Sequence, residues 1–222
     1  MRKAFTLAEV LITLGIIGVV AALVMPSLIA KHNEKETIVK LKKVYSTLSN
    51  AMLLAVSENG TPQDWSGKAY TYLDPDITRA LIEGLLPYLN VSKYCGLEAC
   101  GKKYNITMLN GNAWGNLTSN SNFSKVYLSD GTLINAFAQG PYGVYVLDVN
   151  GSKPPNVMGK DVFRFQVTAD GVVTPVGLNS DTGCLGANPN GYNCAAWVVV
   201  NENMDYLHCP DQLSWNGKTK CN

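Results

Sequence analysis

The stretch from Phe5 to Ala30, FTLAEVLITLGIIGVVAALVMPSLIA, limits this chain more than any other, because it is almost wholly apolar and holds one charge, Glu9. Val10 to Ala30 gives twenty-one residues without a charge. At the helical rise of about 1.5 Å per residue they would cross a hydrocarbon core roughly 30 Å thick. Twelve of them are Leu, Ile or Val. On an insertion scale these favour the bilayer by about 4 to 7 kcal/mol before the Gly, Pro and Ser penalties. The stretch therefore predicts a membrane span, and the roughly 190 residues after it suffice for one hydrophobic core.

What surrounds the span fixes its orientation. Arg2 and Lys3 precede it, while Lys31-His32-Asn33-Glu34-Lys35-Glu36 follows with nearly balanced charge. The positive-inside bias leaves the N-terminus cytoplasmic and the residues beyond Lys31 outside, a single pass. A cleaved secretory signal is the rival reading. Its apolar region should run roughly 7 to 15 residues and end at a small-x-small site, whereas this run is longer and ends only at Leu28-Ile29-Ala30. With 46% hydrophobic and 16% charged residues and a formal net charge of +1, the chain is a membrane-anchored globular protein and not a disordered one. No basic patch marks it for nucleic acid, which is not expected as a partner.

A carboxylate beside an apolar span is costly unless it lies at the interface or meets a cation. One reading lets Glu9 snorkel at the helix end. The other rests on Met1-Arg2-Lys3-Ala4 followed by Phe5-Thr6-Leu7-Ala8-Glu9, which resembles the processing site of type IV prepilins and type II secretion pseudopilins. Gly18, Ala21, Ala22 and Pro26 match that family at their spacing from Phe5, and Ala4 stands where the family usually has Gly. The resemblance implies that a prepilin peptidase cuts between Ala4 and Phe5 on the cytoplasmic side and that Phe5 is then N-methylated. It further implies that an inner-membrane assembly platform moves the subunit from the lipid into a pilus or pseudopilus, among copies of itself and other pilin-like subunits. Phe5 to Ala30 would be the fibre core, with the heads extracytoplasmic.

The physics of that segment is coherent. Cleavage would expose an α-amine on Phe5, and a staggered neighbour could bring it to Glu9, neutralising both charges in apolar surroundings. Ala8, Gly15, Gly18 and Ala22 fall on one helical face, where small residues let helices approach closely. Pro26 cannot donate to Ala22, so a kink or local melting is expected there.

From Glu34 to Glu58, Ile38, Leu41, Tyr45, Leu48, Met52 and Ala55 alternate spacings of three and four and make one helical stripe, with Gly60 as a stop. Joined to the span this predicts a helix of about 54 residues, roughly 80 Å long. Asp74-Pro75 opens a second helix with Ile77, Leu81, Leu85 and Leu89 on one side and Pro87 disturbing its end. Residues 101–124 read as loop, with a strand near Tyr104 to Leu109. Strands are expected over 125–129 and 132–137 around Asp130-Gly131, over 142–149, and over 162–168 and 172–176 around Ala169-Asp170-Gly171. Ala195-Ala-Trp-Val-Val-Val200 is a buried strand or a short helix. The fold expected is α+β: a long N-terminal helix packed on an antiparallel sheet of four or five strands, with disulfide-stapled C-terminal loops, which is also the pilin architecture. The divisions are a leader over 1–4, a span or fibre core over 5–30, a helix continuation over 31–60 and a globular head over 61–222.

Two further features bear on chemistry. Between two strands, Asp148, Asn150, Asn156 and Asp161 supply hard oxygens of the kind calcium prefers. The segment is no EF-hand, since Lys153 and Gly159 occupy the invariant glycine and glutamate positions. A Gly/Pro/Asn turn whose carboxylates cap backbone N–H groups is the first reading, and a calcium site the second. The six cysteines, Cys95, Cys100, Cys184, Cys194, Cys209 and Cys221, lie beyond the span and favour disulfides. Fifteen connectivities are open, sequential neighbours being preferred because each closes a Gly- or Asn-bearing loop. No cofactor is implied beyond calcium. An enzyme is not expected: the two histidines, His32 and His208, join no nucleophile elbow, metal-binding helix or phosphate loop. The two function classes left are a polymerising subunit and a membrane-anchored extracytoplasmic ligand-binding or adhesion domain that does not polymerise.

Overall fold

In a computed structural model, residues 6–69 and 71–222 are described; Ala4 and Phe5, the expected cleavage pair, lie outside them. The chain divides after Glu36 into two units. Helix α1, Leu7–Asn59, contributes to both.

In the first unit, Leu7 to Ala30 is helical and turns its large side chains outward, from Leu7 at 78% exposure to Val10 at 45%. Its few hydroxyls satisfy themselves on the helix: Thr13 Oγ1 donates to Val10 O at 2.9 Å and Ser27 Oγ to Val24 O at 2.9 Å. The helix also continues through Pro26. Local melting there, one of the two outcomes expected, does not occur. A proline removes a single donor, and the bonds on either side hold the backbone.

In the second unit, α1 buries Leu41, Val44, Leu48, Ala51, Met52 and Ala55, with Ile38 and Tyr45 half-buried. Val44 and Ala51 broaden the expected stripe into a face wide enough to lie on a sheet. The helix ends at Asn59, and Gly60, at φ +78°, turns its N–H back to Val56 O at 3.1 Å. A short α2, Pro62–Ser66, follows. Asp74 Oδ1 accepts from Asp76 N at 2.9 Å and Ile77 N at 3.2 Å and starts α3, Pro75–Glu83. Leu85 and Leu89 are buried with Ile77 and Leu81, but α3 stops before them. A separate 3₁₀ turn, Leu86–Tyr88, carries Pro87.

The main sheet has six antiparallel strands in the order β1-β4-β5-β6-β7-β8. These are β1 Val91–Gly96, β4 Ser124–Leu128, β5 Leu133–Gln139, β6 Tyr142–Asp148, β7 Val162–Val167 and β8 Val173–Pro175. The hairpins around Asp130-Gly131 and Ala169-Asp170-Gly171 form where the turn residues place them, with Leu128 N donating to Thr132 O at 2.9 Å and Thr168 N to Val172 O at 3.1 Å. The sheet exceeds the expected four or five strands through β1, a half-exposed edge strand whose register shifts twice against β4. A second, two-stranded sheet pairs β2 Asn105–Thr107 with β3 Ala113–Asn116. The Ala195 to Val200 segment is helical, within α4, Cys194–Asn201.

Both faces of the main sheet are covered. Ile134, Ala136, Tyr145, Leu147, Phe163 and Phe165 share one core with the α1 stripe. Leu133, Phe137, Val144, Val146 and Val162 share another with Ile106, Leu117, Phe123 and Met158. That double burial explains why β5 reads as a nearly continuous apolar run and not as an alternation.

Candidate functional site

The carboxylate of the apolar segment is engaged locally. Glu9 Oε2 accepts from Thr6 N at 2.8 Å and Thr6 Oγ1 at 2.7 Å, and Glu9 N donates back to Thr6 Oγ1 at 3.3 Å. With Thr6 preceding the helix and Glu9 three residues on, this is a reciprocal capping box. The sequence carries its signal, Thr-x-x-Glu ahead of an apolar run, and the reading of Glu9 as a snorkelling or amine-pairing group passed over it. No atom within 4 Å would meet a Cβ added at Gly15 or Gly18, so their surface is open, and Ala8 and Ala22 are exposed on the same helix. Among the described residues one helix, α1, is long and apolar enough to cross a membrane, and none of its apolar window is buried.

Asp148, Asn150, Asn156 and Asp161 are brought into one turn. Asp161 Oδ1 accepts from Val157 N at 2.6 Å, and its Oδ2 from Asn156 N at 2.8 Å and Asn150 Nδ2 at 3.2 Å. Asp148 Oδ1 accepts from Asn150 N at 3.2 Å and Oδ2 from Tyr104 O–H at 2.6 Å. Both aspartates are buried. Burial, opposed by the Tyr104 bond and assisted by the neighbouring Asp161 charge, pushes the Asp148 carboxyl up to about 8. Burial also raises Asp161, against the N–H groups of Val157 and Asn156.

These contacts are those of a turn whose carboxylates cap backbone N–H groups. A calcium ligand set fits in part: Asn150 Oδ1 and Asn156 Oδ1 are buried with no donor, but every carboxylate oxygen already accepts from the protein. Among the described residues no group of three or more His, Cys, Asp or Glu is placed to hold a metal ion. Tyr104, the partner that closes the turn from 44 residues upstream, carries no local signal that could have found it.

The cysteines pair as Cys95–Cys100, Cys184–Cys194 and Cys209–Cys221. The last two staple the region after the sheet, where Trp197 on α4 meets Trp215 edge-on at 5.2 Å. The second face of the sheet also buries polar residues to which the sequence pattern gave no role. Lys125 Nζ donates to Leu97 O at 3.1 Å and Phe123 O at 2.6 Å, and burial lowers it to about 8.

No curated protein and no solved structure matches this chain. Residues 27–171 match a family of unknown function, DUF6613, a span that takes in the head portion of α1 and the main sheet as far as β7. The match covers more than half of the 222 residues, and the chain belongs to that family.

Proposed function

We propose that this protein is a prepilin-like structural subunit, processed between Ala4 and Phe5, held in the inner membrane by α1 and assembled through residues 5–30 into a pilus or a secretion or competence pseudopilus. The observation that carries the reading is the exposure of Leu7 to Ala30 on every side, together with the open surface at Gly15 and Gly18. So much apolar surface needs a non-aqueous surrounding, and lipid followed by neighbouring helices supplies one. Gly18, Ala22 and Pro26 keep the helix surface slim where copies would meet. Among the described residues both bonds that Glu9 accepts come from Thr6 and fall on Oε2, which leaves Oε1 to take the amine of Phe5 on a neighbour. The head, extracytoplasmic and stapled by disulfides, would form the fibre surface.

Mass spectrometry of the mature N-terminus from the membrane or fibre fraction tests this reading. An N-methylated Phe5 supports it; an intact Met1 or a terminus near Lys31 overturns it. A second reading, an anchored extracytoplasmic binding domain that never polymerises, is favoured by the capping box, which satisfies Glu9 within a lone chain. Glu9→Gln separates the two. It keeps the cap and removes the charge, so a fibre subunit loses assembly while an anchored receptor is indifferent.

A further inference from the structure

Arg164, on β7, points into the second face of the sheet and is 4% exposed. Among the described residues no carboxylate lies within salt-bridge distance of it. Its Nη2 donates to Gln139 Oε1 at 3.1 Å at the end of β5, and its Nε is buried with no acceptor. The guanidinium carbon stands over the Tyr192 ring, 3.7 Å from its centre. Tyr192 sits in the loop closed by Cys184–Cys194. Its placement is set by Gly191, where a Cβ would come within 1.9 Å of Met158 O, and by Tyr192 N donating to Asn190 Oδ1 at 2.9 Å. Three separate parts of the chain thus hold one cation still and leave it without a counter-charge.

An uncompensated buried cation is costly, and a buried guanidinium N–H with no acceptor adds to that cost. A planar cation held by a ring contact and by one amide, with N–H groups to spare, is the usual receptor for a carboxylate, phosphate or sulfate group. The half-buried Tyr142, Tyr192 and Gln139 form the solvent side of the site. We infer that Arg164 is the receptor of an oxyanion, bound between β7, the end of β5 and the Cys184–Cys194 loop. Tyr142 and Tyr192 lie close enough to act on its charge. The proposal is independent of fibre assembly, since it concerns the head alone.

The test is thermal unfolding of the full-length chain in detergent, titrated with sodium sulfate, sodium phosphate or sodium acetate against sodium chloride at matched ionic strength. A saturable rise in Tm of about 5 °C at a hundredfold excess over Kd is expected with at least one oxyanion. Preference for acetate assigns a carboxylate, as on a protein side chain; preference for sulfate or phosphate assigns a tetrahedral anion. Arg164→Met, which keeps the apolar stem, should abolish the rise. If that variant does not fold, Arg164→Lys keeps the charge but not the fork and should raise the half-saturation concentration roughly tenfold. No saturable rise beyond chloride, or the same titration curve in wild type and in either variant, overturns the assignment.

Discussion

The two portions of α1 obey different rules although one helix contains both. Leu7 to Ala30 is apolar around its whole circumference and stays exposed among the described residues, whereas Leu41 to Ala55 is apolar on one face and buries that face against the sheet. The backbone is helical in both, with one donor missing at Pro26; what differs is where the surface can go. All-round apolarity requires a solvent or partner supplied from outside, while a stripe requires only a complementary surface in the same chain. Stability of the head should therefore depend on the second portion and be nearly blind to the first.

Replacing one residue in each portion tests that contrast most strongly. Leu48→Ala, at a fully buried site, should lower the unfolding free energy of the head by about 3 kcal/mol, and Leu14→Ala by less than about 0.5 kcal/mol. Equal losses in denaturant titrations would break the comparison. Removing the Cys184–Cys194 bond as a paired Ala replacement should follow closely, at about 3 kcal/mol for so short a loop, again felt in the head alone. The same variant should weaken oxyanion binding, because Tyr192 loses its tether.

The buried turn gives an effect that depends on pH. The Asp148 carboxyl is raised in the folded chain, so between about pH 4 and pH 8 the unfolded chain releases a proton that the folded one retains. Stability should fall as pH rises through that window, Asp161 acting in the same direction. Asp148→Asn should remove about 3 to 4 kcal/mol of the decline between pH 5 and pH 8, measured by urea unfolding. Adding calcium chloride at pH 7 sharpens the result: a bound cation would favour ionised carboxylates and flatten the wild-type profile, and a plain turn leaves it unchanged. The smallest effect belongs to the helix start. Thr6→Val should free the first turn by about 1 kcal/mol, seen as faster amide exchange near Ala8 and Glu9 with no change in head unfolding.

Legibility followed the range of the forces involved. The stripe on α1, the Asp74-Pro75 helix start and the two hairpins are encoded within a few residues of themselves, so periodicity and turn chemistry were enough. The edge strand β1 was hidden because its sequence, VSKYCG, does not alternate and its register is irregular, and its pairing with β4 is decided some thirty residues away. The β2–β3 ribbon was hidden in part for the same kind of reason, with three- and four-residue strands in an Asn-rich stretch. The Ala195 to Val200 run could be helix or strand until its neighbours chose, because it is apolar in every direction.

The sites divide along the same line. Sequence by itself determined the apolar segment with its single carboxylate and the aspartates and asparagines that share the turn, since each rests on neighbours in the chain; the Thr6–Glu9 cap is equally local but was recognised only in the structure. Only the tertiary structure decided that Tyr104 closes that turn on Asp148 and that Gln139, Arg164 and Tyr192 meet. Strand register and a disulfide-closed loop bring those groups together, and neither leaves a mark in any short window of the sequence.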